Sequence, residues 1–196
     1  MYFTVFPTVF ILDLKCDRME SKYNMSVNDN IFFAKRKLVD NIYKSANLEG
    51  IAVTFADTYF FINNVNTGNI SIDDMLKLKG LKDAWEYTLD NIDVKLTIDY
   101  IKKIHFHICK GQNIEPLGEF RKSGVGITGT SWRPKLPSEC NYEEELNNIL
   151  NNENKLDMCL DLFCWIQRSQ MFTDEDESLV KKLFKIVVGS KRVLTN

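Results

Sequence analysis

The chain has 196 residues, 44% of them hydrophobic, which is enough to bury a sizeable core in one domain without disulfides or a metal to brace it. A formal charge of −2, with no run of lysine or arginine longer than Lys35-Arg36-Lys37, argues against nucleic acid as a partner. Five cysteines, Cys16, Cys109, Cys140, Cys159 and Cys164, are odd in number and form no C-x-x-C pair, so they suit reduced thiols and a cytoplasmic address better than a disulfide frame or a zinc site.

The first twelve residues are almost wholly apolar, but no basic stretch precedes them and Asp13, Lys15 and Asp17 follow at once. The run is well short of the roughly 20 residues a membrane span needs, so no membrane association is expected. We read residues 1–27 as a leader outside the fold, with Met19 or Met25 as the working start. N-terminal sequencing of native material that found Met1 or Tyr2 would remove that expectation.

From Asn28 the pattern turns helical. Ile31, Phe32, Leu38, Val39, Ile42 and Tyr43 recur at spacings of three and four, with Asn28 or Asp29 as N-cap and Gly50 at the end. Thr54-Phe-Ala-Asp-Thr-Tyr-Phe-Phe-Ile62 is followed by a turn-rich polar link, 63–68. Ser71-Ile-Asp-Asp74 then opens a helix as a variant capping box, and Met75, Leu76, Leu78, Leu81, Trp85 and Leu89 form its core face, with Trp85 in the core. A further helix over 97–110 presents Ile98, Ile101, Ile104, His105 and Ile108. His105 and His107 lie about 200° apart around that helix and cannot ligate one metal together. His105 is expected to be a packing residue.

Gly118-Glu-Phe-Arg121, then Val125-Gly-Ile-Thr-Gly-Thr130, then Arg133-Pro-Lys-Leu-Pro137, alternate apolar residues with glycines and prolines in the manner of a short β-hairpin. Arg121 reads as a structural hydrogen-bonding or ion-pairing residue. A helix over 142–150 follows, and then a buried helix over 153–168 with Leu156, Cys159, Leu160, Phe163, Cys164 and Ile166 as its stripe and Trp165 near the border. Next comes Gln170-Met-Phe-Thr-Asp-Glu-Asp-Glu-Ser178, which by composition alone is a solvated acidic turn. Leu179, Leu183, Phe184, Val187 and Val188 fit one last amphipathic helix capped by Gly189.

Three of these stretches, in this order, resemble the Fic family of protein AMP transferases. Ser45-Ala-Asn-Leu-Glu49-Gly50 matches its Ser/Thr-x-x-x-Glu-Gly/Asn inhibitory motif, Gly118 to Pro137 its flap, and Gln170, Phe172 and Asp174 the start of its catalytic loop, which in some members reads Gln-x-Phe-x-Asp-Gly-Asn-Lys-Arg. The resemblance covers residues 28–174 and implies a mostly α fold, a Fic-like helical bundle with a short β-hairpin flap. It divides the chain into an inhibitory helix, 28–52, and a Fic-like core, 53–196, truncated so that the last helices of the bundle are missing. It implies transfer of AMP from ATP to a protein hydroxyl, with Mg²⁺ held by Asp174. A protein target would pair with the flap at Val125, Gly126, Ile127 and Thr128. Glu49 would be the brake, supported by Ser45 and paired with Lys181 where the family has an arginine. A helix end closed by Gly50 accounts for that glycine equally well.

The departures from the pattern point to impaired catalysis. Gln170 cannot take a proton, Glu175 and Asp176 replace the glycine and asparagine that cradle phosphate, and Ser178 replaces an arginine. Carboxylates repel phosphate where backbone N–H groups should approach it. A second register, with Gly189-Ser-Lys-Arg192 as the loop, matches less well and also lacks the histidine. A pattern that holds up to Asp174 and then fails is what a shift of reading frame there produces. Transcripts of related strains reading Glu-Asp-Glu-Ser in frame would remove that expectation. The alternatives to an impaired transferase are a non-catalytic Fic-like module that binds protein, a remnant without function, or an unrelated helical scaffold. The last is distinguished by whether Gly118 to Pro137 forms a hairpin over the end of the 153–168 helix, and a helical segment there would mean that the resemblance is wrong.

Overall fold

The computed structural model describes residues 26–48, 50–65, 70–113, 116–126 and 131–172. Residues 1–25 of the expected leader, with the alternative starts Met19 and Met25, and the whole tail from residue 173 lie outside the described residues, while the last two leader positions, Ser26 and Val27, are the cap and first residue of a helix. Within them the chain forms seven α-helices: α1 Val27–Arg36, α2 Leu38–Leu48, α3 Phe55–Ile62, α4 Ile72–Asp90, α5 Ile98–Cys109, α6 Tyr142–Leu150 and α7 Lys155–Ser169. None of them is long and apolar enough to cross a membrane.

Local sequence explains where the helices start. Ser26, Thr54, Ser71, Thr97 and Asn141 each accept from the backbone N–H three residues on, satisfying a donor that the first turn leaves without a partner. At Ser26 and Thr54 the third residue, Asp29 or Asp57, also accepts from the cap backbone, closing a full capping box. The first helix is therefore capped by Ser26, and not by Asn28 or Asp29 as the apolar spacing had suggested. Asp29 instead serves as the acidic partner within that box. The expected single helix up to Gly50 is also two, divided at Lys37, whose φ of −96° and ψ of 6° leave the helical region.

The core is carried by α4 and α5, which pack along most of their length. Leu78, Leu81, Ala84 and Trp85 from α4 and Ile101, Ile104 and Ile108 from α5 are buried, so Trp85 is a core residue as expected. Gly80 is what lets the two backbones meet. A Cβ at this position would run into the carbonyl oxygen of Ile108, on backbone that cannot move aside. Around this pair α2 packs on α3 and α4, and α6 bridges to α5 and α7.

Among the described side chains of α7, which do not include Leu156 of the expected stripe, Met158, Cys159, Leu162 and Ile166 are buried while Leu160 is exposed. The buried stripe therefore runs at spacings of four through 158, 162 and 166, with Trp165 half-buried beside it. Phe163 and Cys164 sit only at its edges, and the expected stripe was rotated by part of a turn.

No strand is present among the described residues, and an isolated antiparallel bridge joins Phe120 to Phe172. The segment expected as a hairpin runs as two extended limbs, 121–126 and 131–136, with neither helix nor ladder between them, and its tip, 127–130, lies outside the described residues.

Candidate functional site

The site is built where α5, the two limbs and the end of α7 meet. Its centre is Arg121, 2% exposed. Its Nε donates to the carbonyl of Gln170 at 2.5 Å, one terminal nitrogen to that of Ser123 at 2.7 Å, and the other to that of Lys135 at 2.5 Å. Its backbone N–H donates to the carbonyl of Met171 at 3.1 Å. One guanidinium thus ties the first limb, the second limb and the loop after α7 together, with a donor fork that lysine could not supply. Arg121 is the structural hydrogen-bonding residue the sequence pointed to, and its partners are carbonyl oxygens.

His105 fixes the same site from α5. Its Nδ1 accepts from the backbone N–H of Gly118 at 3.0 Å, which puts the ring hydrogen on Nε2, 3.5 Å from the Cys109 sulfur. The ring stacks on Phe172 with centroids 4.2 Å apart. Gly118 has φ +67° and lies against the Lys102 carbonyl and the Phe106 Cβ, so the root of the first limb sits directly on α5 and only glycine meets both demands. His107 faces elsewhere, stacked on Tyr87 at 4.7 Å, and burial pushes its pKa down. The two histidines do not converge.

An aromatic chain carries the packing across the site. Phe172 meets Phe120 at 5.8 Å, Phe120 meets the edge of Tyr142 at 5.1 Å, and Tyr142 meets Trp165 at 5.8 Å. Trp165 ends it by donating to Glu145 at 2.6 Å. Tyr142 is buried, and desolvation pushes its hydroxyl well above the ordinary range. Sequence reading missed Tyr142 and Met171 as site residues. Their signal was an aromatic at the first position of a helix and a large apolar residue inside an otherwise polar loop.

Gln170 has φ +43° and is almost fully buried. Its carboxamide turns back and donates to the Gln167 carbonyl at 3.0 Å, so it closes the end of α7 and does not reach outward. Phe172 is buried in the core. Asp174 and Lys181, and with them the acidic stretch, lie outside the described residues. Of the flap positions, Val125 is half-buried and Gly126 exposed, while Ile127 and Thr128 lie outside the described residues.

In the inhibitory motif Ser45 is buried and Glu49 lies outside the described residues. Gly50 has φ +70°, its N–H donates to Asn47 and the N–H of Ile51 to Ala46, the two bonds of a Schellman stop with buried Ala46 and Ile51 in contact range. Helix termination accounts for Gly50 in full.

The sequence matches no family model and no curated protein. Solved structures do resemble the fold. Fic-1 from C. elegans, residues 134–508, superposes with a TM-score of 0.64 at 15% identity over 84% of this chain and 56% of that one. The chain has the fold of a Fic domain. A Fic domain containing signaling protein from Bacteroides thetaiotaomicron VPI-5482 gives 0.65 at 18% identity, over 81% of this chain and 65% of that one. A Fic family protein from Desulfovibrio desulfuricans G20 gives 0.64 at 13% identity, over 87% and 59%. The chain thus spans between about half and two thirds of the length of these Fic structures. The Fic fold also agrees with the limbs lying over the end of α7, where Trp132 Nε1 donates to the Arg168 carbonyl at 3.3 Å. The described residues of 118–136 are not helical, and the paired hairpin expected of them is not present among these residues either.

Proposed function

We propose that this chain is a Fic-type module that docks a protein on the limbs beside α7 and in which transfer of AMP from ATP to a protein hydroxyl is impaired. The observation that carries this reading is Gln170. It stands at the head of the catalytic loop, where a base must accept the target's proton, and a carboxamide accepts none at neutral pH. It is also turned back onto its own helix.

The described residues do not fit a triphosphate. Arg121, the buried cation beside the loop, spends its guanidinium on three carbonyls and points no donor pair at an anion. The carboxylates of Glu175, Asp176 and Glu177 follow in sequence where donors are required. ATP and Mg²⁺, with Asp174 as the Mg²⁺ ligand, are what the resemblance to Fic transferases implies. Glu49 as a brake, supported by Ser45 and paired with Lys181, is the companion reading if catalysis survives. A cytoplasmic site of action goes with it.

The test is the intact mass of the purified chain, and of Glu49→Gly, after incubation with ATP and Mg²⁺. Neither is expected to gain mass. A gain of one AMP in the variant alone would establish Glu49 as a working brake and overturn the impairment.

A further inference from the structure

We infer that the outward face of α1 attaches the chain to an anionic lipid surface, a contact that does not depend on the docking reading above. Phe32 and Phe33 are 65% and 52% exposed, while Ile31 and Ala34 on the other side of the helix are half-buried and α1 rests on α2. Lys35, Arg36 and Lys37 follow at once, and all three are exposed. Residues four apart share a helix face, so Phe32 lies with Arg36 and Phe33 with Lys37. The helix dipole favours cations in a last turn, but it does not account for two exposed phenylalanines on the same face.

The charge around this face is one-sided. Residues 26–48 carry Lys35, Arg36, Lys37 and Lys44 against Asp29 and Asp40, in a chain whose net charge is −2. Both carboxylates are engaged, Asp29 with the Ser26 hydroxyl at 2.6 Å and Asp40 with Lys44 at 2.8 Å. Lys35, Arg36 and Lys37 have no ion pair among the described residues. In the sequence just ahead of α1, Asp13, Asp17 and Glu20 are matched in number by Lys15, Arg18 and Lys22. Two aromatic rings that can enter the headgroup layer, beside cations that meet the lipid phosphates, are what an interfacial helix presents. A face two rings wide falls short of the area a stable protein interface buries, whereas reversible attachment to an anionic leaflet needs no more. No described helix could cross a bilayer, and the apolar run at residues 1–12 is too short to do so, but a surface contact requires no span.

The test is co-sedimentation of the full chain with vesicles of phosphatidylcholine alone and with vesicles that also contain phosphatidylserine. The chain should pellet with the second kind and not the first, and return to solution as salt is raised. Phe32→Ser with Phe33→Ser, and separately Arg36→Gln with Lys37→Gln, should each weaken that partition by about tenfold, with the helical far-UV signal unchanged. Equal pelleting with both kinds of vesicle, or with neither, would overturn the inference. Partition that survives both double variants and is lost when residues 1–12 are removed would overturn it in favour of the apolar leader. A chain that ignores vesicles and forms a dimer broken by the phenylalanine variant would give the face to a second copy instead.

Discussion

Arg121 shows how one side chain replaces a sheet. Two neighbouring limbs would ordinarily satisfy each other's backbone through a ladder, but among the described residues one guanidinium instead donates to a carbonyl on each limb and to that of Gln170. Arg121→Ala should leave the buried Gln170 carbonyl and two part-buried ones without their donor, at a cost of roughly 3 kcal/mol, read as a lower urea midpoint. Arg121→Lys should recover less than half, since one ammonium cannot span three directions. His107 belongs to the same scale. Burial first, then Lys110 and Lys79, lower its pKa below the ordinary 6.5, against an opposing pull from Asp83. The unfolded chain then takes up the proton more readily than the folded one. Stability should therefore be full above about pH 6.5 and decline as pH falls through the lower folded value. His107→Phe keeps the stack on Tyr87 and should flatten that decline in denaturation series at different pH. A slope unchanged by this substitution would show that other groups cause it.

At the scale of elements, the contact of α4 with α5 depends on a missing side chain. Gly80→Ala should drive the helices apart at roughly 3 kcal/mol, a fall in Tm of about 10 °C. An unchanged Tm would mean that the backbones do not meet at Gly80. The helix starts illustrate what propensity alone conveys. Ser71 with Asp74 was legible as a cap, because a polar acceptor three residues ahead of an acidic partner and an apolar run has few other uses. Ser26 was passed over because the apolar periodicity begins at Ile31 and nothing in it marks where the backbone turns. The rotation of the α7 stripe has a similar origin. Leu160 is as apolar as Leu162, and only the neighbours of α7 decide that Leu162 is buried while Leu160 meets water.

For the whole molecule, the buried cluster extends without a gap from Ile42 on α2 to Phe172 after α7. Such a core should unfold in one transition, with far-UV and near-UV signals coinciding in urea. Phe172→Ala should cost about 3 to 5 kcal/mol, because the ring is packed between His105 and Phe120. Two separated transitions would show instead that α1 to α3 form an independent unit.

The sequence by itself determined the mostly helical class, the order of the helices from α4 onward and the extended segment ahead of α6. These follow from periodicity, capping chemistry and charge, which act over a few residues at a time. Only the tertiary structure decided that Arg121 spends its donors on carbonyls, that His105 anchors Gly118 and Phe172, and that Arg168 reaches Trp132. Each of these depends on residues 13 to 67 positions apart meeting in space. No local pattern records a contact of that range, because the free energy that selects it comes from burial against the rest of the chain.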